Sequence, residues 1–331
     1  MTILRGDCRQ RLRELGDCAV DAVVTDPPYI THPTGGIETN DVAFDAQVWE
    51  ECYRVLKPGG YMLVFGKTRG YHHLAIAIEN AGFDVRDTIH WLFADGNSYA
   101  KDASKLLDTY QGHNRPRQPA RSRTKQSRAL PPKGFNLDGW SPQVNTPESD
   151  IAATWSGYKT AIKPGQLPIL LVRKPHPERM IAENILEWGT GALNIDGCRF
   201  GPDNKEAPNV VLDADIVPLV DEQRQGGSRF FMVLRPYPSA RKLGLDYDNP
   251  VPEVKPLELM RHLVRLVAPP NRPTILDPFA GSGTTLMAAV LENCNYIGIE
   301  NQDDYIDVIQ DRVNWAKKEH AKVNTRTLQK Q

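Results

Sequence analysis

The chain has 331 residues, 40% hydrophobic and 24% charged, with a formal net charge of −1. That composition suits a globular protein with one large core or two modest ones, and a charge so close to zero points to no class of partner. Five scattered cysteines (Cys8, Cys18, Cys52, Cys198 and Cys294), odd in number and without a CxxC pair, argue against a zinc site or a disulfide framework and for a reducing compartment. No apolar run is long enough to span a bilayer, and MTILRGDCRQRL turns charged before a signal-peptide core can form, so the expectation is a cytoplasmic protein.

Taken in order, the first ninety residues alternate between strand and helix. CAVDAVVTD predicts a buried strand that runs into Asp26-Pro27-Pro28-Tyr29. Proline donates no ladder hydrogen bond, so this strand stops there, and strand ends are where α/β proteins place their chemistry. DAQVWEECYRVLKPGG predicts an amphipathic helix closed by Pro58 and two glycines, and YMLVFG a nearly all-apolar central strand. GYHHLAIAIENAGF predicts a helix ending at Gly82, and DVRDTIHWLF a strand with one solvated face. The alternation argues for a mainly parallel sheet covered on both faces.

The middle changes character. Residues 113–133 carry Arg115, Arg117, Arg121, Arg123, Lys125, Arg128 and Lys133 with no acid. Such a run reads as a loop or disordered arm whose positive charges suit phosphate contact without reading sequence. PILLVRKP predicts a further strand, and residues 201–227 an irregular surface excursion. Trp155 and Tyr158, beside Lys159 and Lys163, are expected in the core in preference to nucleic-acid contact, and Phe230 and Phe231 in the core in preference to base stacking. His72 and His73 are expected to be structural, with no metal site anywhere.

Order returns near the C-terminus. KPLELMRHLVRLV places Leu257, Met260, Val264 and Val267 on one helical face. PTILDPFAGSGTTLMAAVLEN reads as strand, glycine-rich turn and helix, CNYIGIE as a strand ending in Glu300, and DDYIDVIQDRVNWAKKE as a helix with Tyr305, Ile309 and Val313 in a row. In LDPFAGSGTT, small residues let a backbone approach a ligand, and free N–H groups at the helix start face it. Glu300 ends the next strand, where an acid can accept from ribose hydroxyls. The turn lacks the spacing of a dinucleotide fingerprint and the lysine of a phosphate-binding loop. It therefore predicts an adenosine-bearing cofactor other than NAD or ATP, with a tight turn stiffened by glycine as the plain alternative.

DPPY together with DPFAGSGTT resembles the S-adenosylmethionine-dependent DNA amino-methyltransferases. The order resembles their permuted β class, of phage and bacterial type, with the catalytic motif first and the cofactor motif last. RGDC, RVLKPGGYMLVFG, GTGALNIDGCR and KPLELMRHLVRLV also resemble segments of such enzymes. The resemblance implies an α/β fold: a doubly wound, mixed but mainly parallel Rossmann-like sheet with a target-recognition insertion. It implies a catalytic half in 1–109, a basic insertion in 110–150, the rest of the sheet with a variable region in 151–229, and a cofactor half in 230–331. The implied cofactor is S-adenosylmethionine and the implied partner double-stranded DNA. Homodimers are common among relatives, but no self-complementary patch is legible. Nor does any PD-(D/E)xK pattern indicate a nuclease.

In this reading Asp26 accepts one N–H of the target amine and the Pro27 carbonyl the other. Pro27 and Pro28 stiffen the turn, and Tyr29 stacks on a base rotated out of the duplex. The resemblance puts Asp7, Lys255, Asp277, Phe279, Ala280, Gly281, Ser282, Gly283, Thr284 and Glu300 around the cofactor. Asp277 anchors the glycine turn or meets the donor's ammonium, and Phe279 packs beside the donor. Asp7 reads equally as a solvated turn residue, and Thr284 and Thr285 as first-turn helix residues. Many relatives read Asn-x-His-Pro-Thr-x-Lys-Pro where this chain has NPVPEVKP, with Val251 and Glu253 at the divergent positions. Adenine N6 is preferred over cytosine N4, because relatives acting on cytosine often carry Ser where this motif has Asp26. The competing readings are methylation of RNA bases or of protein glutamine, and a catalytically inactive DNA-binding relative.

Overall fold

The computed structural model describes residues 1–28, 42–94, 100–113, 115, 147–234 and 241–328. Its strands are β1 (Thr2–Arg5), β2 (Val20–Thr25), β3 (Leu56–Phe65), β4 (Asp84–Leu92), β5 (Gln166–Arg173), β6 (Val210–Leu212), β7 (Met232–Val233), β8 (Thr274–Asp277) and β9 (Asn295–Glu300). Its α-helices are α1 (Cys8–Arg11), α2 (Ala46–Val55), α3 (Tyr71–Asn80), α4 (Ala103–Tyr110), α5 (Asp150–Thr154), α6 (Ile181–Trp188), α7 (Val217–Gln223), α8 (Leu257–Val267), α9 (Thr284–Leu291) and α10 (Asp303–Leu328). The described chain divides into two compact units, residues 1–95 with 165–331, and residues 96–164.

In the larger unit all nine strands join one sheet in the order β1-β9-β8-β2-β3-β5-β4-β6-β7. Among the described strands, β5 alone runs antiparallel to its neighbours. This is the expected mixed, mainly parallel, doubly wound sheet. Both faces are buried, and the strand residues alternate between two cores. Ala22, Val24, Leu63 and Phe65 join α8, α9 and α10 on one face. Val20, Val23, Met62 and Val64 join α1, α2 and α3 on the other. β2 is central: Ala22 lies beside Tyr61 of β3 and Ile275 of β8.

Two expectations about this unit need correction. The helix α2 ends at Val55, ahead of the Pro-Gly-Gly, and Pro58, Gly59 and Gly60 lie inside β3. They form a bulge: Val20 pairs with Leu56, but Ala22 pairs with Tyr61. Gly59 sits at φ +74, and a Cβ there would fall 2.3 Å from Nδ2 of Asn184. That amide donates to the carbonyls of Pro58 (3.0 Å) and Thr190 (2.7 Å), so α6 locks the bulge. Second, the stretch expected to be irregular contains β6, which adds to the sheet beside β4, and the helix α7.

The smaller unit is wider than the expected 110–150 insertion, because α4 before the basic run and α5 after it are tied together by Asp108. This fully buried carboxylate accepts from the N–H groups of Glu148 (3.0 Å) and Ser149 (3.1 Å), from the Ser149 hydroxyl (2.7 Å), and from Arg115 (2.5 Å). The strands β2 and β8, one from each of the expected catalytic and cofactor halves, are hydrogen-bonded to each other. No described helix is long and apolar enough to cross a membrane.

Candidate active site

β2 and β8 are adjacent and parallel, but the chain leaves them in opposite directions, β2 toward β3 and β8 toward β9. That reversal opens a crevice beyond their carboxyl ends, the usual place for a ligand in an open α/β sheet. Four acids stand at the ends of four consecutive strands: Asp7 after β1, Glu300 closing β9, Asp277 closing β8 and Asp26 after β2. All four line one cleft of about 510 Å³, together with Pro27, Pro28, Lys255 and the turn from Phe279 to Ser282. Thr284 lines it too, while Gly283 lies behind it.

Each acid is held differently. Asp277 is buried and accepts from the Thr25 hydroxyl (2.6 Å), the Phe279 N–H (3.1 Å) and the Thr285 side chain. Burial nevertheless pushes its carboxyl up to about 6. Glu300 accepts from the N–H of Gly281 through Oε2 (2.7 Å) and of Gln302 through Oε1 (2.9 Å). Burial raises its pKa against those bonds. A third backbone bond, from Asn301, completes this set and still leaves the carboxylate acceptor capacity for a hydroxyl. Asp7 caps α1 by accepting from the Arg9 N–H (2.8 Å), and its ion pair with the Arg9 guanidinium (2.6 Å) lowers its pKa. Asp26 is half-buried, and its carboxylate is bonded to the ammonium of Lys255.

The glycine turn is built for a close neighbour. Ala280 is tied to the Ile299 carbonyl (2.9 Å) and Gly283 to the Ala280 carbonyl (2.7 Å). Gly283, at φ +75, leads into α9, and a Cβ on it would meet Ile309 of α10 at 2.9 Å. Gly281, at φ +53, has nothing nearer than 3.9 Å to such a Cβ, so the space above it is open. Ser282 and Thr284 share a hydroxyl bond (3.0 Å). Phe279 packs edge-on against Trp49, 6.3 Å between centres, and so braces the turn as well as lining the cleft.

The motifs at the two ends of the chain thus meet, though Tyr29 lies outside the described residues. Lys255, assigned by sequence reasoning to the cofactor, lines the cleft and bonds to Asp26. Sequence reasoning missed one residue. Arg312, fully buried, donates to Thr284 (3.1 Å) beneath the turn, and burial lowers its pKa to about 10. Its signal was a charged residue beside Val313 inside the apolar stripe of α10.

In the smaller unit, Arg115 does not fit the role of a phosphate contact. Its side chain is 9% exposed, paired with Asp108 and bonded to Ser104 (2.6 Å), so its charge is consumed by the fold. Arg117, Arg121, Arg123, Lys125 and Arg128 lie outside the described residues. Trp155 and Tyr158 are not core residues: they are 46% and 60% exposed and stack edge-on at 5.2 Å. A bond from Ala103 N–H to the Tyr158 carbonyl (3.0 Å) fixes their turn, and Lys159 and Lys163 beside them are exposed.

A family model described as DNA methylase (N6_N4_Mtase) matches residues 20–311. The type II methyltransferase M.HindIII of Haemophilus influenzae is 26% identical over 271 residues, 81% of this chain and 67% of that protein. M2.MboI of Moraxella bovis, also a type II methyltransferase, is 43% identical over 61 residues, 18% of this chain and 22% of that one. Two solved structures share the fold. The M1.HpyAVI–SAM complex has a TM-score of 0.51 at 17% identity, covering 95% of this chain and 98% of that one. PvuII DNA methyltransferase (cytosine-N4-specific) has a TM-score of 0.54 at 14% identity, covering 99% and 92%.

Proposed function

The chain belongs to the DNA methylase family, and from that premise we propose that it transfers a methyl group from S-adenosylmethionine to the exocyclic amine of a base in DNA, adenine N6 in preference to cytosine N4. The observation that carries this reading is the shared cleft: the Asp26-Pro27-Pro28 turn and the glycine turn line it together at the switch point of the sheet.

The residues suit such a donor. The cleft is of ligand size, Glu300 offers acceptors to ribose hydroxyls, Gly281 leaves open space, and buried Asp277 offers an anion to an ammonium group. Bound there, S-adenosylmethionine supplies an electrophilic methyl on a sulfonium whose leaving group departs neutral, so the protein's task is orientation and electrostatics. An exocyclic amine is a poor nucleophile, because its lone pair is delocalised into the ring. Asp26 accepts one N–H, the Pro27 carbonyl accepts the other, and the two prolines keep both acceptors from reorganising. Such an amine is out of reach inside a duplex, so the base is rotated out of the stack, with Tyr29 assigned to stack on it. The motif's leading Asp supports adenine. The exposed Trp155 and Tyr158 with their neighbouring lysines, and the basic run beyond Arg115, support DNA as the partner.

The test is transfer of label from S-adenosylmethionine to unmethylated DNA, RNA and protein, followed by digestion to nucleosides. The expected product is N6-methyladenine from DNA. N4-methylcytosine would move the target base, and label found on RNA or protein alone would overturn the reading.

A further inference from the structure

Lys255 stands two residues before α8, and Pro256 after it restricts its backbone to extended conformations. Its side chain is 11% exposed, and the ammonium lies 5.2 Å from the centre of the buried Phe65 ring at the carboxyl end of β3. From there Nζ donates to Oδ2 of Asp26. A second carboxylate, the exposed Glu253, is 3.9 Å away. Among the described residues Oδ2 is thus the oxygen of Asp26 held by a side chain, and Asp26 itself lines the cleft.

We propose that Lys255 is the positioning residue for Asp26: it fixes Oδ2 so that Oδ1 is aimed at the amine of the extruded base. This rests on the amine-methylation reading above and moves Lys255 from the cofactor side of the cleft to the target side. The physical need is plain. Asp26 is 30% exposed on a turn, and an aspartate left to itself there rotates toward water. Asp26 and Asp277 also follow adjacent strands, and two carboxylates so placed repel each other. A cation delivered on a buried stem offsets that repulsion and selects one rotamer. Methyl transfer is sensitive to such placement, since a displacement of about 1 Å in a reacting geometry costs on the order of 100-fold.

The experiment uses the full chain with Lys255→Met, which keeps most of the stem, and Lys255→Arg, which keeps the charge. S-adenosylmethionine affinity is measured by calorimetry, and methyl transfer by single turnover on unmethylated DNA with both substrates saturating. The expected result for Lys255→Met is a rate loss of about 100-fold with cofactor Kd changed by no more than about threefold, and partial recovery in Lys255→Arg, whose planar fork fits less well. Loss of cofactor affinity with an unchanged saturated rate would overturn the inference and return Lys255 to the donor, and no change in either would overturn it too. A double-mutant cycle of Asp26→Ala and Lys255→Met, read by thermal unfolding of the unliganded chain, reports the pair itself. Strictly additive Tm changes would sink the inference whatever the substrate. A coupled pair in a wild-type chain that methylates no DNA would sink the functional reading alone.

Discussion

Two buried aspartates, one in each unit, are held in opposite ways. Asp108 is satisfied by two N–H groups, a hydroxyl and the cation of Arg115. Burial works against its charged form, but those bonds outweigh it and hold the carboxyl below the usual range. Asp277 receives two hydroxyls and one N–H, with no cation among its described partners, and burial wins. The contrast separates two uses of a buried charge. Asp108 spends its charge inside the fold as a staple between α4 and α5. Asp277 keeps its charge uncompensated beside the cleft, where a cationic group can take it up.

The largest effect separates the chemistry from both of these roles. Asp26→Ala is expected to lower methyl transfer by about 10³-fold or more, the scale of losing an essential electrostatic contact in the transition state. Cofactor binding stays close to wild type, and transfer at the wild-type rate would remove Asp26 from the site. Next, Gly281→Val places a β-branched residue at φ +53 and fills the open space over the turn. Calorimetry is expected to show cofactor affinity down about 100-fold from strain and steric exclusion together. An unchanged Kd would mean the donor lies elsewhere.

The two aspartates themselves give a pair of opposite signs. Asp108→Asn leaves Arg115 buried beside a neutral amide, and its melting temperature is expected to fall by several degrees. Asp277→Asn can still accept from Thr25 and Phe279 but carries no charge. The native carboxyl titrates near 6, against 3.8 for the free group. Between those values the native state binds more protons than the unfolded one, so wild-type stability falls as pH rises through that window. Asp277→Asn is therefore expected to be more stable than wild type at pH 8, by on the order of 3 kcal/mol, with the advantage fading as pH falls from about 6 to about 4. Melting curves across pH 4–8 check this, and a pH-independent difference would show that Asp277 is not the titrating group. The smallest effect lies on the surface of the insertion. Trp155→Ala with Tyr158→Ala is expected to weaken DNA binding about fivefold in a gel-shift titration, the low end of base stacking, with cofactor affinity unchanged. Equal DNA affinity would leave the exposed pair without a role in binding.

Much of this was legible before any coordinates. The strands β2, β8 and β9 read correctly because buried parallel strands are short apolar runs with abrupt ends. α8 read correctly because its apolar spacing is strong. The errors share one cause, which is that local pattern cannot see a partner. Pro-Gly-Gly after α2 signals a stop, and only the amide of Asn184, some 125 residues away, makes it a bulge within β3. β6 is three residues long and joins the sheet only because the edge of β4 is there to receive it. Arg115 reads as one more charge in a basic run, and burial against Asp108 removes it from that set. Trp155 and Tyr158 look like core by residue type, yet their turn leaves both rings outside.

By itself the sequence determined the chemical inventory: a rigid Asp-Pro-Pro turn, a glycine turn with open backbone, and acids at strand ends, each set by residues adjacent in the chain. Tertiary structure alone decided their company. It set Asp26 beside Asp277 across two strands some 250 residues apart, gave Asp26 the ammonium of Lys255, and gave Asp277 no cation among the described residues. The reason is physical. Backbone conformation follows from near neighbours, whereas the electrostatic state of a carboxylate depends on whichever charges and dipoles the fold brings within a few ångströms of it.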